Sequence, residues 1–410
     1  MRFTVVTFGS EGDTRPLAAL CRGLLDAGHD LKLFAEYSTL SLARTLGVPC
    51  EGLAGDVKSI LPIVDPLQKL RLSDVLKVGR DMKAIIAANT ASWIRTATEH
   101  ARSSDAILFS SLALGVGVAV IEELRKPIIG LWFQPVTPTR AFCSPLLRPM
   151  RLPGWANQLT YRLLHHQMWS PYAKPTRTAR REIFGTMGTA TPRFDFPFLY
   201  GISQHLVPRP DDWPDSHRIC GHWSLPAQDF QPSAELRAFL DAGEPPIYAG
   251  FGSVSCFIRA RALRALIDAV AGRRVVFGAG WSKIDHNVLP SNFHVVRDVP
   301  HEWLFPRTSL VIHHGGAGTT HTAARAGVPQ VVLPIGADQP FWASRVAAEG
   351  VAPQYANGAR LKSAAVAKMI DWAQQPSVRE RAKSLSEAMS EENGLAYAIR
   401  KIEKLIPTRH

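Results

Sequence analysis

The stretch Ser309-Leu-Val-Ile-His-His-Gly-Gly-Ala-Gly-Thr-Thr320 decides the fold. It starts as a short apolar, β-branched strand, turns on Gly315, Gly316 and Gly318, and enters a helical pattern over residues 319–326 that Gly327 and Pro329 close. Strand, glycine turn and helix in that order are one unit of a parallel sheet. Glycines let the backbone approach a ligand, and uncovered amides at a helix start attract an anion such as a phosphate or diphosphate. A ligand-free strand-helix turn would use the same glycines. His313 and His314 before the turn, and Asp338-Gln339 after the next strand, favour a ligand, because open α/β sheets bind at the strand C-terminal ends.

The same alternation extends in both directions. Residues 3–8 read as a strand, a glycine-bearing turn follows, and Pro16 falls in the first turn of a helix on which Leu17, Leu20, Leu24 and Leu25 recur until Gly28. Residues 31–34, 106–109 and 127–132 are further strands, whereas 55–100 and 140–200 read only as mixed helix and loop. A proline-rich passage from Val207-Pro-Arg-Pro-Asp-Asp-Trp-Pro214 to Glu244-Pro-Pro246 marks a boundary. Beyond it, strands are expected at 247–251, 274–277, 310–313 and 331–334, with helices at 262–271 and 319–326. The expected fold class is α/β, with two doubly wound Rossmann-like domains facing each other across a cleft. Residues 1–205 form the first domain, 206–246 the linker and 247–375 the second domain; helices over 376–410 pack back on the first.

Composition narrows the class. The 410 residues are 46% hydrophobic and 20% charged, with 30 Gly and 30 Pro, which excludes disordered and fibrous chains. The longest apolar run, residues 106–121, spans 16 residues and is short for a membrane-crossing helix. No cleavage pattern follows the apolar start, so a cytoplasmic location is expected. Five scattered cysteines without a CxxC pair argue against disulfides and a cysteine zinc site. The net charge of +12 is concentrated between Arg125 and Arg193, where eleven Lys and Arg face the single acid Glu182. Trp132, Phe133, Phe142, Trp155, Tyr161, Trp169, Tyr172 and Phe184 share that stretch. Two readings stand: a solvated basic face over an ordinary aromatic core, or a surface that rests peripherally on anionic lipid. No nucleic-acid motif is present.

Together with the opening stretch, Val299-Pro-His-Glu-Trp-Leu-Phe-Pro306, Ala326-Gly-Val-Pro329 and Gly336-Ala-Asp-Gln-Pro-Phe-Trp342 resemble the donor-binding signature of family 1 glycosyltransferases, in their sterol glucosyltransferase branch. Gly9-Ser-Glu-Gly-Asp-Thr-Arg-Pro16, Pro208-Arg-Pro-Asp-Asp-Trp-Pro214, Gly250-Phe-Gly-Ser253 and Pro138-Thr-Arg-Ala-Phe142 agree with it. The resemblance implies a GT-B fold, with an acceptor-binding first domain and a nucleotide-sugar-binding second one. It also implies an inverting, metal-independent hexosyltransferase without a cofactor, whose co-substrate is UDP-glucose or a related UDP or dTDP sugar. The acceptor would be a hydrophobic small molecule such as a sterol, triterpenoid, polyketide or lipid. Position by position it implies that Ser253, His313, Gly315, Gly316, Ala317, Gly318 and Thr319 hold the donor diphosphate, Asp338 and Gln339 the sugar, and Val299 the base.

Asp13 is the general base that the resemblance implies, while residue chemistry alone favours it as the cap of the first helix. Glu11 stands where the branch commonly has arginine, and His321 replaces a glutamate that grips the ribose in plant members. Trp132, Phe133, Thr137 and Thr139 either line the acceptor cleft or belong to the core. A metal role for the histidines lacks a carboxylate at ligand spacing. The competing functions are an NAD(P)- or FAD-dependent oxidoreductase, for which the glycine spacing does not fit, and a catalytically silent nucleotide-sugar-binding protein.

Overall fold

The structure is a computed structural model that describes residues 1–60, 72–188, 194–225, 230–252, 260–280, 289–355 and 361–406. The N-terminal half runs β1 (Arg2–Val6), α1 (Glu11–Asp26), β2 (Asp30–Glu36), α2 (Ser41–Thr45), β3 (Cys50–Leu53), α3 (Val57–Ile60), α4 (Leu72–Ala101) and β4 (Ala106–Ser110). It continues through α5 (Leu114–Leu124), β5 (Ile128–Trp132), α6 (Gly154–Phe184), β6 (Phe198–Tyr200) and β7 (His217–Ile219). The C-terminal half runs α7 (Ala234–Asp241), β8 (Ile247–Gly250), α8 (Ala260–Val270), β9 (Val275–Gly278), β10 (Phe293–Val296), α9 (His301–Leu304), β11 (Leu310–His313) and α10 (Ala317–Arg325). It ends with β12 (Gln330–Val332), α11 (Gln339–Ala348), α12 (Ser363–Ala373), α13 (Pro376–Ser390) and α14 (Gly394–Leu405).

All strand pairs are parallel, in the orders β3-β2-β1-β4-β5-β6-β7 and β10-β9-β8-β11-β12. A parallel sheet needs cover on both faces, which is why the strands are apolar on both sides. On β4, Ala106 and Leu108 join the core under α1 and α14, while Ile107 and Phe109 join the core under α4, α5 and α6. The second sheet divides in the same way: Ile247 and Ala249 pack toward α8 and α12, and Tyr248 toward α7 and α9. These are two doubly wound α/β domains.

The structure corrects several expectations. β7 is the last strand of the first sheet, so the span expected as linker begins inside the first domain. The stretches read as mixed helix and loop contain two helices of 30 and 31 residues, α4 and α6. α6 keeps Pro171 and Pro175 inside it, and each proline removes one helix hydrogen bond that sequence reading takes as a stop. β10 carried no sequence expectation; four residues of Phe-His-Val-Val are too short to show a period. α1 begins at Glu11, which leaves Pro16 beyond the first turn. At the other end of the chain, α14 lies on α1, with Glu403 Oε1 3.0 Å from His29 Nε2.

Candidate active site

In each sheet the order of winding reverses beside the first strand, between β1 and β4 and between β8 and β11. Ligands of open α/β sheets sit in the crevice at such a point. The chain places the Gly9–Asp13 loop at the first crevice and the turns around Gly252 and Gly315 at the second. α1 and α10 are in contact with one another.

On the α10 side the N-cap is Gly316, and no side chain caps the helix. The amides of the first turn therefore keep their partial positive charge for another partner. A Cβ placed on Gly318 would meet nothing within 4 Å, so this turn faces open space. Gly315 is required by its backbone: its φ is +93°, and a Cβ would lie 2.8 Å from Val332.

The histidines around this turn do not all face it. His313 is fully buried, with Nε2 2.8 Å from Gln330 Oε1 and Nδ1 accepting from the Gly315 amide at 3.1 Å. Both ring nitrogens of His313, expected at the diphosphate, thus have partners inside the protein, and the ring braces the turn. The neighbouring His314 wedges between the Gly252 and Gly316 turns, and its buried Nδ1 has no partner. Burial holds His313 near a pKa of about 4 and His314 near about 3. Both are neutral at pH 7, so the positive potential here comes from amides. Ser253 lies outside the described residues.

His321 is buried as well, accepting from the Ser203 amide at Nε2 (3.0 Å) and donating from Nδ1 to the Ala317 carbonyl (2.7 Å). It ties α10 to the segment after β6. Its ring also stands edge-on to Trp342, whose Nε1 donates to Asp338 Oδ2 at 2.8 Å. Burial raises the Asp338 carboxyl, against hydrogen bonds from Trp342 and from Gln134 at the end of β5. Gln339 accepts the amides of Ile335 and Gly336 on Oε1 (2.7 and 3.0 Å), which directs its amide nitrogen elsewhere. Ala337 and Asp298 hold φ of +53° and +52°, strained for non-glycine residues, beside Asp338 and the half-buried Val299.

On the α1 side Ser10 is the N-cap and Asp13 sits at the third helical position, so Asp13 is the back-bonding member of a capping box instead of the cap itself. Its Oδ2 accepts from the Ser10 amide (3.0 Å) and hydroxyl (3.2 Å). Gly9, at φ +138°, makes room: a Cβ there would lie 2.5 Å from that oxygen. Glu11 pairs outward with Arg15 at 3.0 Å. Behind Asp13, Glu36 ends β2 fully buried; Oε1 accepts from Ser38 and the Val57 amide, and Oε2 has no partner. Burial, with smaller contributions from Asp56 and Asp13, lifts its pKa to about 7.

The four residues weighed for the acceptor cleft are buried and partnered within the protein. Trp132 packs edge-on to Phe109 and Phe198, and Phe133 to Trp223. Thr137 bonds Tyr200 and His217, and Thr139 bonds Asp212. Phe142 and Phe341, 5.6 Å apart, form one ring pair across the two halves, and His222 stacked on His321 at 5.2 Å forms another. A cavity of about 590 Å³ lies at the opposite ends of β8 and β11, lined by Arg273, Arg274 and Arg379, and is remote from this chemistry. Among the described residues, no group of three or more His, Cys, Asp or Glu could hold a metal ion.

Residues 270–405 match the model of the erythromycin biosynthesis protein CIII-like C-terminal domain. Over its whole length the chain is 29% identical to a sterol 3-beta-glucosyltransferase of Arabidopsis thaliana. These similarities support the resemblance to family 1 glycosyltransferases, in their sterol glucosyltransferase-like branch. It spans 66% of that plant relative and 30% of a sterol 3-beta-glucosyltransferase of Aspergillus fumigatus, to which it is 30% identical. Among solved structures, the glycotransferase of kitacinnamycin superposes with a TM-score of 0.72 at 17% identity, covering 99% of both chains. Glycosyltransferase VinC, solved in complex with dTDP, does so at 0.67 and 18%, again over 99% of both chains. The fold of the chain is thus GT-B, and the relatives named here are glycosyltransferases.

Proposed function

We propose that the chain is an inverting transferase that moves glucose or a related hexose from a nucleotide diphosphate sugar to a hydroxyl of a hydrophobic acceptor. Sterols, triterpenoids, polyketides and lipids form that acceptor class, and an anionic membrane is a peripheral partner. The observation that carries the reading is the meeting of a bare helix start, α10, with a helix start that presents a carboxylate, α1.

Asp13 takes the proton of the acceptor hydroxyl as its oxygen bonds to the anomeric carbon. The bond from that carbon to the diphosphate oxygen breaks on the opposite face, so configuration inverts. The charge left on the diphosphate is stabilised by the Ala317, Gly318 and Thr319 amides, which need no reorganisation in the act. Asp338 and the amide nitrogen of Gln339 take the sugar hydroxyls, and the Val299 backbone takes the base. The amides make a resident metal or cofactor unnecessary in this scheme. The plant relative's name points to glucose as the sugar, and the dTDP bound to VinC keeps thymidine donors beside UDP ones.

The test is a mass-spectrometric screen of UDP and dTDP sugars against sterol, polyketide and lipid acceptors. A glycoside of inverted configuration is expected. Donor binding without product across the whole panel would make the chain a silent nucleotide-sugar-binding protein and overturn the reading.

A further inference from the structure

Eight large apolar side chains stand exposed among the described residues, and five of them fall between Leu146 and Leu163. Trp155, Leu159 and Leu163 follow one another at four-residue spacing and therefore form a stripe along the first half of α6. They are 65%, 44% and 48% exposed, and Leu146 and Met150 on the preceding loop are 41% and 49% exposed. The opposite face of the same helix is an ordinary core face, with Asn157, Tyr161 and Leu164 buried. A helix with two apolar faces, only one of them covered, has an unmet surface.

The exposed stripe is rigid and basic. Asn157 Nδ2 donates to the Arg140 carbonyl at 2.8 Å, and Thr160 Oγ1 accepts from the Ser144 amide at 2.8 Å, which pins the loop to the helix. Arg148, Arg151 and Arg162 are exposed around the stripe and form no ion pair among the described residues. No acid occurs in sequence between Arg125 and Glu182. The rest of the basic segment behaves differently: Arg180 is buried against Glu122 at 2.6 Å, and Trp169 and Tyr172 are core. The charge excess is thus sorted, part of it used internally and part left around an apolar stripe.

We propose that this face, Trp155, Leu159 and Leu163 with Arg148, Arg151 and Arg162, seats the protein on an anionic lipid bilayer. An apolar stripe ringed by cations fits a headgroup boundary, where nearby Lys and Arg are attracted to anionic lipid, and it does not fit a second copy of the same chain, whose equal charges would oppose it. Among the described residues no helix is long and apolar enough to cross a membrane, so this contact is peripheral. The same loop carries Phe142 to Phe341 at the cleft, next to Asp338 and Gln339. The seated face is therefore continuous with the mouth of the cleft. This last step rests on the proposed function: an acceptor dissolved in the bilayer would reach Asp13 without crossing water.

The experiment is co-sedimentation of the full chain with vesicles of phosphatidylcholine alone or with 30% phosphatidylglycerol, at low and high salt. Binding at least about tenfold tighter to the anionic vesicles, falling as salt rises, is expected. Trp155→Ser with Leu163→Ser should abolish most of it, and Arg148→Gln with Arg151→Gln and Arg162→Gln should remove its salt dependence. These positions are exposed, so thermal midpoints and nucleotide binding should stay at the parent values. No sedimentation, equal sedimentation with neutral vesicles, or binding untouched by both variants would overturn the proposal, as would a dimer dissolved by the Trp155 variant. Vesicle binding by a protein that glycosylates nothing would overturn the proposed function and leave this face standing.

Discussion

At the start of α1, Ser10 and Asp13 satisfy one another's donors and acceptors, whereas at the start of α10 Gly316 covers nothing. Both helices follow a strand at a sheet switch point, and both meet the same gap. The difference lies in charge. α1 brings its own anion to its positive end, so it presents a carboxylate held at a fixed angle. α10 has no acid in its first turn and no side-chain cap, so its first amides stay uncovered by side chains. One fold, used twice, yields a helix start that carries its own carboxylate and a helix start that no side chain caps.

The largest effect should come from breaking the α1 end. Asp13→Asn keeps an oxygen for the Ser10 amide but cannot accept a proton, so kcat should fall about 100- to 10,000-fold with donor affinity nearly intact. Unchanged turnover would reduce Asp13 to a cap. Next, His321→Glu places a carboxylate where the resemblance implies a ribose-gripping glutamate. In this fold it would bury an acid against the Ala317 carbonyl, and a loss of about 2–4 kcal/mol in thermal or urea unfolding is expected, with no gain in nucleotide affinity. Tighter nucleotide binding would show that the ring position faces the ribose after all.

Gly318→Asp sharpens the comparison by making α10 resemble α1. The open space at Gly318 accepts the side chain, and an acid in the first turn suits the helix dipole, so the fold should be no less stable. The same charge should weaken a nucleoside diphosphate by about 10- to 100-fold, read by titration calorimetry, roughly 1.4–2.7 kcal/mol. Full affinity in this variant would place the diphosphate elsewhere.

The smallest effect concerns Glu36, behind Asp13. Its folded pKa of about 7 lies above the usual carboxylate value, so its contribution to stability is complete below pH 4.5 and is lost as pH rises through 7. Glu36→Gln should therefore raise the melting temperature at pH 8 by about 2–4 °C and leave it nearly unchanged at pH 5. An equal shift at both pH values would mean that the buried carboxyl does not titrate.

Much of this was legible beforehand where the signal is local. The strand, glycine turn and helix at 309–326 show their period in a dozen residues, and so does the Gly9–Asp13 loop. α6 was not legible, because Pro171 and Pro175 imitate helix ends, and β7 was not, because three residues have no period. Gln134 could have been found, since it stands at the C-terminal end of β5 where ligands are met; Glu36 ends β2 in the same way. For the rings, no local signal existed. Whether His313 turns to Gln330, His321 to Ser203 or Trp132 to Phe198 depends on partners 17, 118 and 66 positions away.

The order of residues by itself determined two parallel sheets, the glycine turn that leaves amides bare, and the carboxylate three residues beyond Ser10, because helix and strand periods and backbone freedom act over a few residues. Only the tertiary structure decided which side chains face the gap. Among His313, His321, Trp132, Phe133, Thr137 and Thr139 it turned every one inward, since a buried polar atom must find a partner and an aromatic ring must find a packed wall, and both are supplied by distant parts of the chain.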